Sequence, residues 1–184
     1  MPIFSAPETP AIKNRTTVTV RGAALETRSR ATTKVDAARD PITVLIVVPT
    51  LDDGAADAGA LELVRILAQA GRRAIVASCA GRLVADVTAA GGEFVPLDAA
   101  TNNPIVILRN AAVLSWLARD RQCDAIHALG RAAAWNAYIT AHLRGIPFVT
   151  SWYKGFREQN IFKHIFNGVM ARGARVIAVS DQIA

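Results

Sequence analysis

Ile42-Thr43-Val44-Leu45-Ile46-Val47-Val48 is an unbroken aliphatic and β-branched run. A strand with one face in water alternates apolar and polar residues. A continuous run is buried on both faces, which is the habit of parallel sheets covered by helices. The pattern then repeats along the chain. A helix capped by Asp57 carries the stripe Leu61, Val64, Leu67 and Ala68 and stops at Gly71. Residues 74–78 read as a strand, 81–90 as a helix and 93–97 as a strand. Asn103-Pro104 supplies an N-cap and a proline at the first helical position, opening a helix to about Arg119. Strands are expected at 125–128, 147–151 and 176–179, with helices at 132–144 and 160–171 between them.

Strands alternating with helices require right-handed βαβ crossovers. The expected fold is therefore α/β, a doubly wound, mostly parallel six-stranded Rossmann-like sheet. Ligands of such sheets lie beyond the carboxyl ends of the strands, near the point where strand order reverses. The loops after Val48, Ser78, Leu97, Ala128 and Ser151 are the places to search.

Residues 1–40 are rich in Thr, Ala, Arg and Pro and bury too little apolar surface to offset their ordering entropy. They read as a flexible basic extension, with one domain from 41 to 184. Just over half of the 184 residues are apolar and the formal net charge is +6, a composition of packed globules that suits an anionic partner. Cys79 and Cys123 have neither Cys-x-x-Cys nor metal-ligand spacing, so both read as reduced core thiols, the usage of a cytoplasmic protein. No stretch approaches the ~18 uninterrupted apolar residues of a membrane span, and the start lacks a signal-peptide core.

The loop after the first strand, Pro49 to Gly59, contains no Gly-x-Gly-x-x-Gly and no Gly-Lys-Ser/Thr. That removes the main support for a dehydrogenase or a Walker-type nucleotidase. What remains, around Asp53 and Gly54, is either a capped turn with two surface aspartates or a helix N-terminus presenting N–H groups to an anion. The fourth strand runs into His127, Gly130 and Arg131. Either the histidine and arginine reach a phosphate or hydroxyl in the cleft, or they serve the loop and the next helix. After the fifth strand, Trp152 to Phe166 interleaves aromatic and basic residues. Ile161, Phe162, Ile165, Phe166 and Val169 repeat at helical spacing and suit the core. Trp152, Tyr153 and Phe156 suit an interface, and peripheral contact with an anionic membrane surface is expected across the Trp152 to His164 cluster. No Ser-His-Asp order, zinc spacing or paired carboxylate appears.

Several segments in this order carry a family resemblance: Val48-Pro49-Thr50-Leu51-Asp52, Leu67 to Ala77, Ala80 to Val84, Asn103-Pro104-Ile105, Ile126-His127, Ile146 to Thr150, and Val169 to Gly173 leading to Val176-Ile177-Ala178-Val179-Ser180. Together they resemble the N-terminal, subfamily-4-like domain of family 4 GT-B glycosyltransferases of bacterial lipopolysaccharide and exopolysaccharide synthesis. The resemblance implies two Rossmann-like domains facing a cleft, with the acceptor held by this half and a nucleotide-sugar donor by a C-terminal half that the chain lacks. It implies transfer with retention to a cell-envelope glycan or glycolipid, no metal or other cofactor, no nucleic-acid partner, and inactivity of this half alone. By the same resemblance Asp53, Gly54, His127, Gly130, Arg131, Tyr153 and Lys154 are the donor- or acceptor-binding candidates, with no catalytic residue assigned. The chain departs from the family pattern at Ala55, where a second glycine is usual, and at Tyr153-Lys154-Gly155, where a His-Gly pair is usual. The alternative is a non-catalytic α/β binding or regulatory domain.

Overall fold

The computed structural model of the chain describes residues 41–153 and 168–178. Within them lie β1 (Thr43–Val47), α1 (Ala55–Gln69), β2 (Arg73–Ser78), α2 (Val84–Ala89), β3 (Glu93–Pro96), α3 (Pro104–Asp120), β4 (Ala125–Leu129), α4 (Arg131–Arg144), β5 (Phe148–Trp152) and β6 (Arg175–Ala178). The six strands form one sheet in the order β3-β2-β1-β4-β5-β6, and every neighbouring pair is parallel. The expected doubly wound sheet is present, and it is parallel throughout.

The continuous apolar run forms the central strand. Leu45, Ile46 and Val47 are fully buried, with β2 on one side and β4 on the other. Successive side chains point to opposite faces, so the two layers draw on alternate residues. Leu45 and Val47 join Ile75, Ala77, Ile126 and Ala128 in the core that includes Leu114 and Leu117 of α3 and Ala133, Ala137 and Ala141 of α4. Ile46 and Val48 join Val76 and Leu129 in the core with Ala60, Leu61 and Val64 of α1 and Val87 of α2. Small residues let α3 and α4 approach closely enough for the Thr140 hydroxyl to donate to the Ala111 carbonyl at 3.3 Å. The Asn103 side chain caps α3 by accepting from the Ile105 N–H at 3.0 Å, and Gly145, in the left-handed region at φ 65°, ends α4.

Four details differ from the sequence expectations. Gly54 rather than Asp57 is the N-cap of α1, because the Asp57 carboxylate reaches back from the third helical position to accept from the Gly54 N–H at 3.0 Å. In α1 the buried stripe is Ala60, Leu61 and Val64, and Ala68 is exposed beyond its end. Helix α2 starts three residues after Gly81, whose Cα sits so close to the Leu51 carbonyl that a Cβ there would overlap it. Cys123 is buried and burial pushes its thiol up to about 11, but Cys79 is half-exposed, with Sγ 3.7 Å from an Asp98 carboxylate oxygen. Of the helix expected at 160–171, only the end is described, and Gly168–Arg172 is a 3-10 turn there. The expectations for residues 1–40, for Lys154 to Asn167 and for residues 179–184 lie outside the described residues.

Candidate functional site

Strand order reverses between β1 and β4, so their outgoing loops run to opposite faces and leave a crevice at the carboxyl edge. A cavity of about 230 Å³ opens there. Gly54, Ala55 and Ala56 of the first turn of α1 line one side, and Gly130 and Arg131 at the start of α4 line another. Ser151, Trp152 and Tyr153 at the end of β5 close it with Met170.

The β1–α1 loop is held by a buried carboxylate. Asp57, 4% exposed, accepts from the Thr50 hydroxyl at 3.1 Å, the Asp52 N–H at 3.0 Å and the Gly54 N–H at 3.0 Å. It thereby balances the positive end of the α1 dipole from within. Asp53 turns away from the cavity to form an ion pair with Arg82, and Asp52 accepts from the Arg82 N–H at 3.2 Å. Both aspartates link the β1 loop to the β2 loop.

The start of α4 is built differently. Gly130 has φ 99° and ψ 158°, a region open essentially to glycine alone, so its conformation rather than a lack of space selects the residue. No acidic residue stands in the first turn of α4, and Arg131 adds a positive charge at the positive end of the helix dipole. The N–H groups at a helix start carry partial positive charge, and Gly130 and Arg131 line this end of the cavity.

Behind the β5 wall lies His127, 8% exposed. Its Nε2 is 2.8 Å from the Ser151 Oγ, and burial lowers its pKa from 6.5 to about 4, so the ring is neutral at physiological pH. Burial pushes the Tyr153 phenol up, and the nearby Ser151 side chain partly offsets that shift. Gly59 of α1 makes room for the phenol: a Cβ there would overlap the hydroxyl and come within 2.7 Å of Cζ.

Gly54, Gly130, Arg131 and Tyr153 are thus brought to one cavity, whereas Asp53 and His127 do not line it and Lys154 is outside the described residues. Sequence reasoning passed over Ser151 and Gly59. Ser151 could have been found from strand period two, because it shares its face of β5 with Tyr153 and lies opposite Leu129, two residues beyond His127. Gly59 carries no local signal. Among the described residues no three His, Cys, Asp or Glu side chains gather as a metal site, and no helix is long and apolar enough to cross a membrane.

An all-parallel 3-2-1-4-5-6 sheet with a crevice at its switch point defines a Rossmann-like α/β domain, of the kind that forms the halves of GT-B enzymes. The sequence profile of Glycosyltransferase Family 4 matches residues 56–184, and the chain belongs to that family. A glycosyltransferase from Rickettsia africae aligns with a TM-score of 0.67 at 29% identity, over 78% of this chain and 38% of that one. MurG from Acinetobacter baumannii aligns with a TM-score of 0.59 at 17% identity, over 78% of this chain and 43% of that one. A putative UDP-N-acetylglucosamine 2-epimerase from Listeria monocytogenes gives 0.58 at 10% identity, over 79% and 41%, a likeness of fold. The chain therefore spans about two fifths of the length of these structures. No curated protein sequence matches it.

Proposed function

We propose that residues 41–184 form the acceptor-side domain of a retaining GT-B glycosyltransferase. The enzyme would move a sugar from a nucleotide-sugar to a cell-envelope glycan or glycolipid, of lipopolysaccharide or exopolysaccharide type, without a metal ion. The observation that carries this reading is the crevice between α1 and α4. One helix start is balanced by Asp57. The other has no acid in its first turn and carries Arg131. A diphosphate leaving group develops negative charge as its bond to the sugar breaks. Fixed N–H dipoles and a guanidinium stabilise that charge without reorganising. Gly130 and the small side chains of Gly54, Ala55 and Ala56 leave the backbone open to such a group.

Inorganic pyrophosphate is a suitable probe of this crevice. Arg131→Ala should weaken its binding about tenfold by titration calorimetry, the scale of a lost charge-assisted contact. Equal affinity in the two proteins would remove Arg131 from the proposed role.

Peripheral residence at the cytoplasmic face of an anionic membrane belongs to the same reading. The outer side of α3 supports it: Ile105, Leu108 and Trp116 are 76%, 61% and 66% exposed, with Arg109 and Arg119 beside them and no acidic residue before Asp120. An exposed apolar helix face flanked by arginine suits the headgroup region of a bilayer.

A further inference from the structure

A second pocket opens at the carboxyl edge of the sheet, beyond the ends of β2 and β3 and away from the switch point. Its volume is about 530 Å³, within the ~300–1,000 Å³ range of small-molecule sites. The strand ends contribute Cys79, Leu97 and Asp98, and α3 contributes Arg109, Asn110 and Val113. Asn110 is 1% exposed, and its Nδ2 donates to the Asp98 carbonyl at 2.7 Å. That bond fixes the amide, because the reversed orientation would set two oxygens against each other. No described residue donates to the Asn110 Oδ1. Among the described residues, Asn136 Oδ1 is the one enclosed side-chain oxygen or nitrogen without a hydrogen bond. The Asn110 Oδ1 is therefore not enclosed, and it is open to the pocket that its side chain lines.

Two charged groups share the pocket with this acceptor. Arg109 forms no ion pair with a described residue. The Asp98 carboxylate stands 3.7 Å from the Cys79 Sγ, a weak donor, which leaves its acceptor capacity nearly whole. An occupant must therefore bring donors to Asn110 and Asp98 and an acceptor to Arg109. An anion would meet the Asp98 charge, and a cation would meet Arg109. An apolar ligand would strip water from the Asn110 oxygen and leave it unpaired. A hydroxyl both donates and accepts, and two neighbouring hydroxyls match the two oxygens of a carboxylate. Leu97 and Val113 offer apolar surface to the C–H face of a ring.

We propose that this pocket is a subsite for a neutral sugar ring, with Asn110 and Asp98 accepting from its hydroxyls and Arg109 donating to another. The proposal rests on reading the domain as the acceptor side, and it places a hexose of the acceptor beyond β2 and β3. The backbone joins this place to the crevice. The Cys79 N–H donates to the Pro49 carbonyl at 3.3 Å, and the Leu97 N–H donates to the Ser78 carbonyl at 2.9 Å. The pocket is thus braced against the same β1–α1 loop that forms one side of the crevice.

Cys79 reports occupancy of the pocket in the full chain. Of the two cysteines, Cys123 is buried with its thiol pushed up to about 11, so a thiol reagent reads Cys79. Methyl glucoside, methyl galactoside and methyl mannoside are the probes, with inorganic phosphate as the anionic comparison. At least one glycoside, at millimolar concentration, should slow labelling in a saturable way. Asp98 is exposed, so Asp98→Ala should keep the fold. It should raise the half-protecting concentration roughly fivefold, the worth of one hydrogen bond, and Asp98→Asn should raise it less. Protection by none of the glycosides would overturn the proposal. So would equal protection in Asp98→Ala and the unaltered chain, or stronger protection by phosphate than by any glycoside. Calorimetric titration with pyrophosphate separates this subsite from the crevice. If pyrophosphate binds and no glycoside protects Cys79, the subsite fails and the reading of the crevice stands. If neither binds, both fail.

Discussion

The Asp57 carboxylate accepts the Thr50 hydroxyl at 3.1 Å, tying the segment that leaves β1 to the first turn of α1 across seven residues. The same carboxylate takes the N–H groups of Asp52 and Gly54, so one buried side chain shapes the whole loop that forms one side of the crevice. Asp57→Ala would leave these donors unpaired, and we expect a loss of about 2–3 kcal/mol in urea unfolding. Asp57→Asn keeps an acceptor oxygen and should lose less. Equal stability for Asp57→Ala and the unaltered chain would contradict the role described for the carboxylate.

His127 makes stability depend on pH in a defined direction. Its folded pKa of about 4 lies below the ordinary 6.5, so between those values the unfolded chain binds the additional proton. The contribution is full above about pH 6.5 and is lost as pH falls towards 4, by at most about 3 kcal/mol. Urea midpoints at pH 7.5 and pH 4.5 should therefore converge in His127→Gln relative to the unaltered chain. Parallel pH dependences would show that the imidazole is not held neutral.

Gly59→Ala has two opposing effects that a double-mutant cycle separates. The methyl group collides with the Tyr153 phenol and should destabilise by about 1–3 kcal/mol. With Tyr153→Ala the obstacle is gone, and the same change should stabilise by up to about 1 kcal/mol through helix propensity. A change of sign in thermal or urea unfolding is the expected result. The same sign in both backgrounds would mean that the phenol does not occupy the slot.

Incubated alone with nucleotide-sugars, the chain should transfer no sugar, because in the proposed function it forms only the acceptor-side half of the cleft. Product formation detected by chromatography would refute that division of labour.

Flotation with phosphatidylglycerol vesicles tests the α3 surface. Trp116→Ala and Arg109→Glu should each reduce the bound fraction several-fold, and neutral phosphatidylcholine vesicles should bind less of the unaltered chain. Unchanged flotation in both variants would exclude this face as the contact.

Much of the fold was legible in one dimension because it follows from short-range rules. The continuous run at residues 42–48, the Asn103-Pro104 start and the glycines ending helices report burial, capping and termination within a few residues. The errors arose in the turns between elements. Gly81, expected to open α2, packs against the Leu51 carbonyl instead, and the Asp57 carboxylate accepts the Asp52 and Gly54 N–H groups from the third helical position rather than from the N-cap.

By itself, the sequence determined the α/β class, the strand-and-helix succession and the edge of the sheet at which a ligand would sit, since period and loop position are local properties. Only the tertiary structure decided what each polar residue faces. His127 and Ser151 stand 24 residues apart in sequence and become hydrogen-bonded because β4 and β5 are adjacent and side chains of like parity share a face. Asp53, two residues from Leu51, turns outward to Arg82 because the β1 and β2 loops lie together at one edge. Those outcomes depend on strand order and register, which no short stretch of sequence encodes.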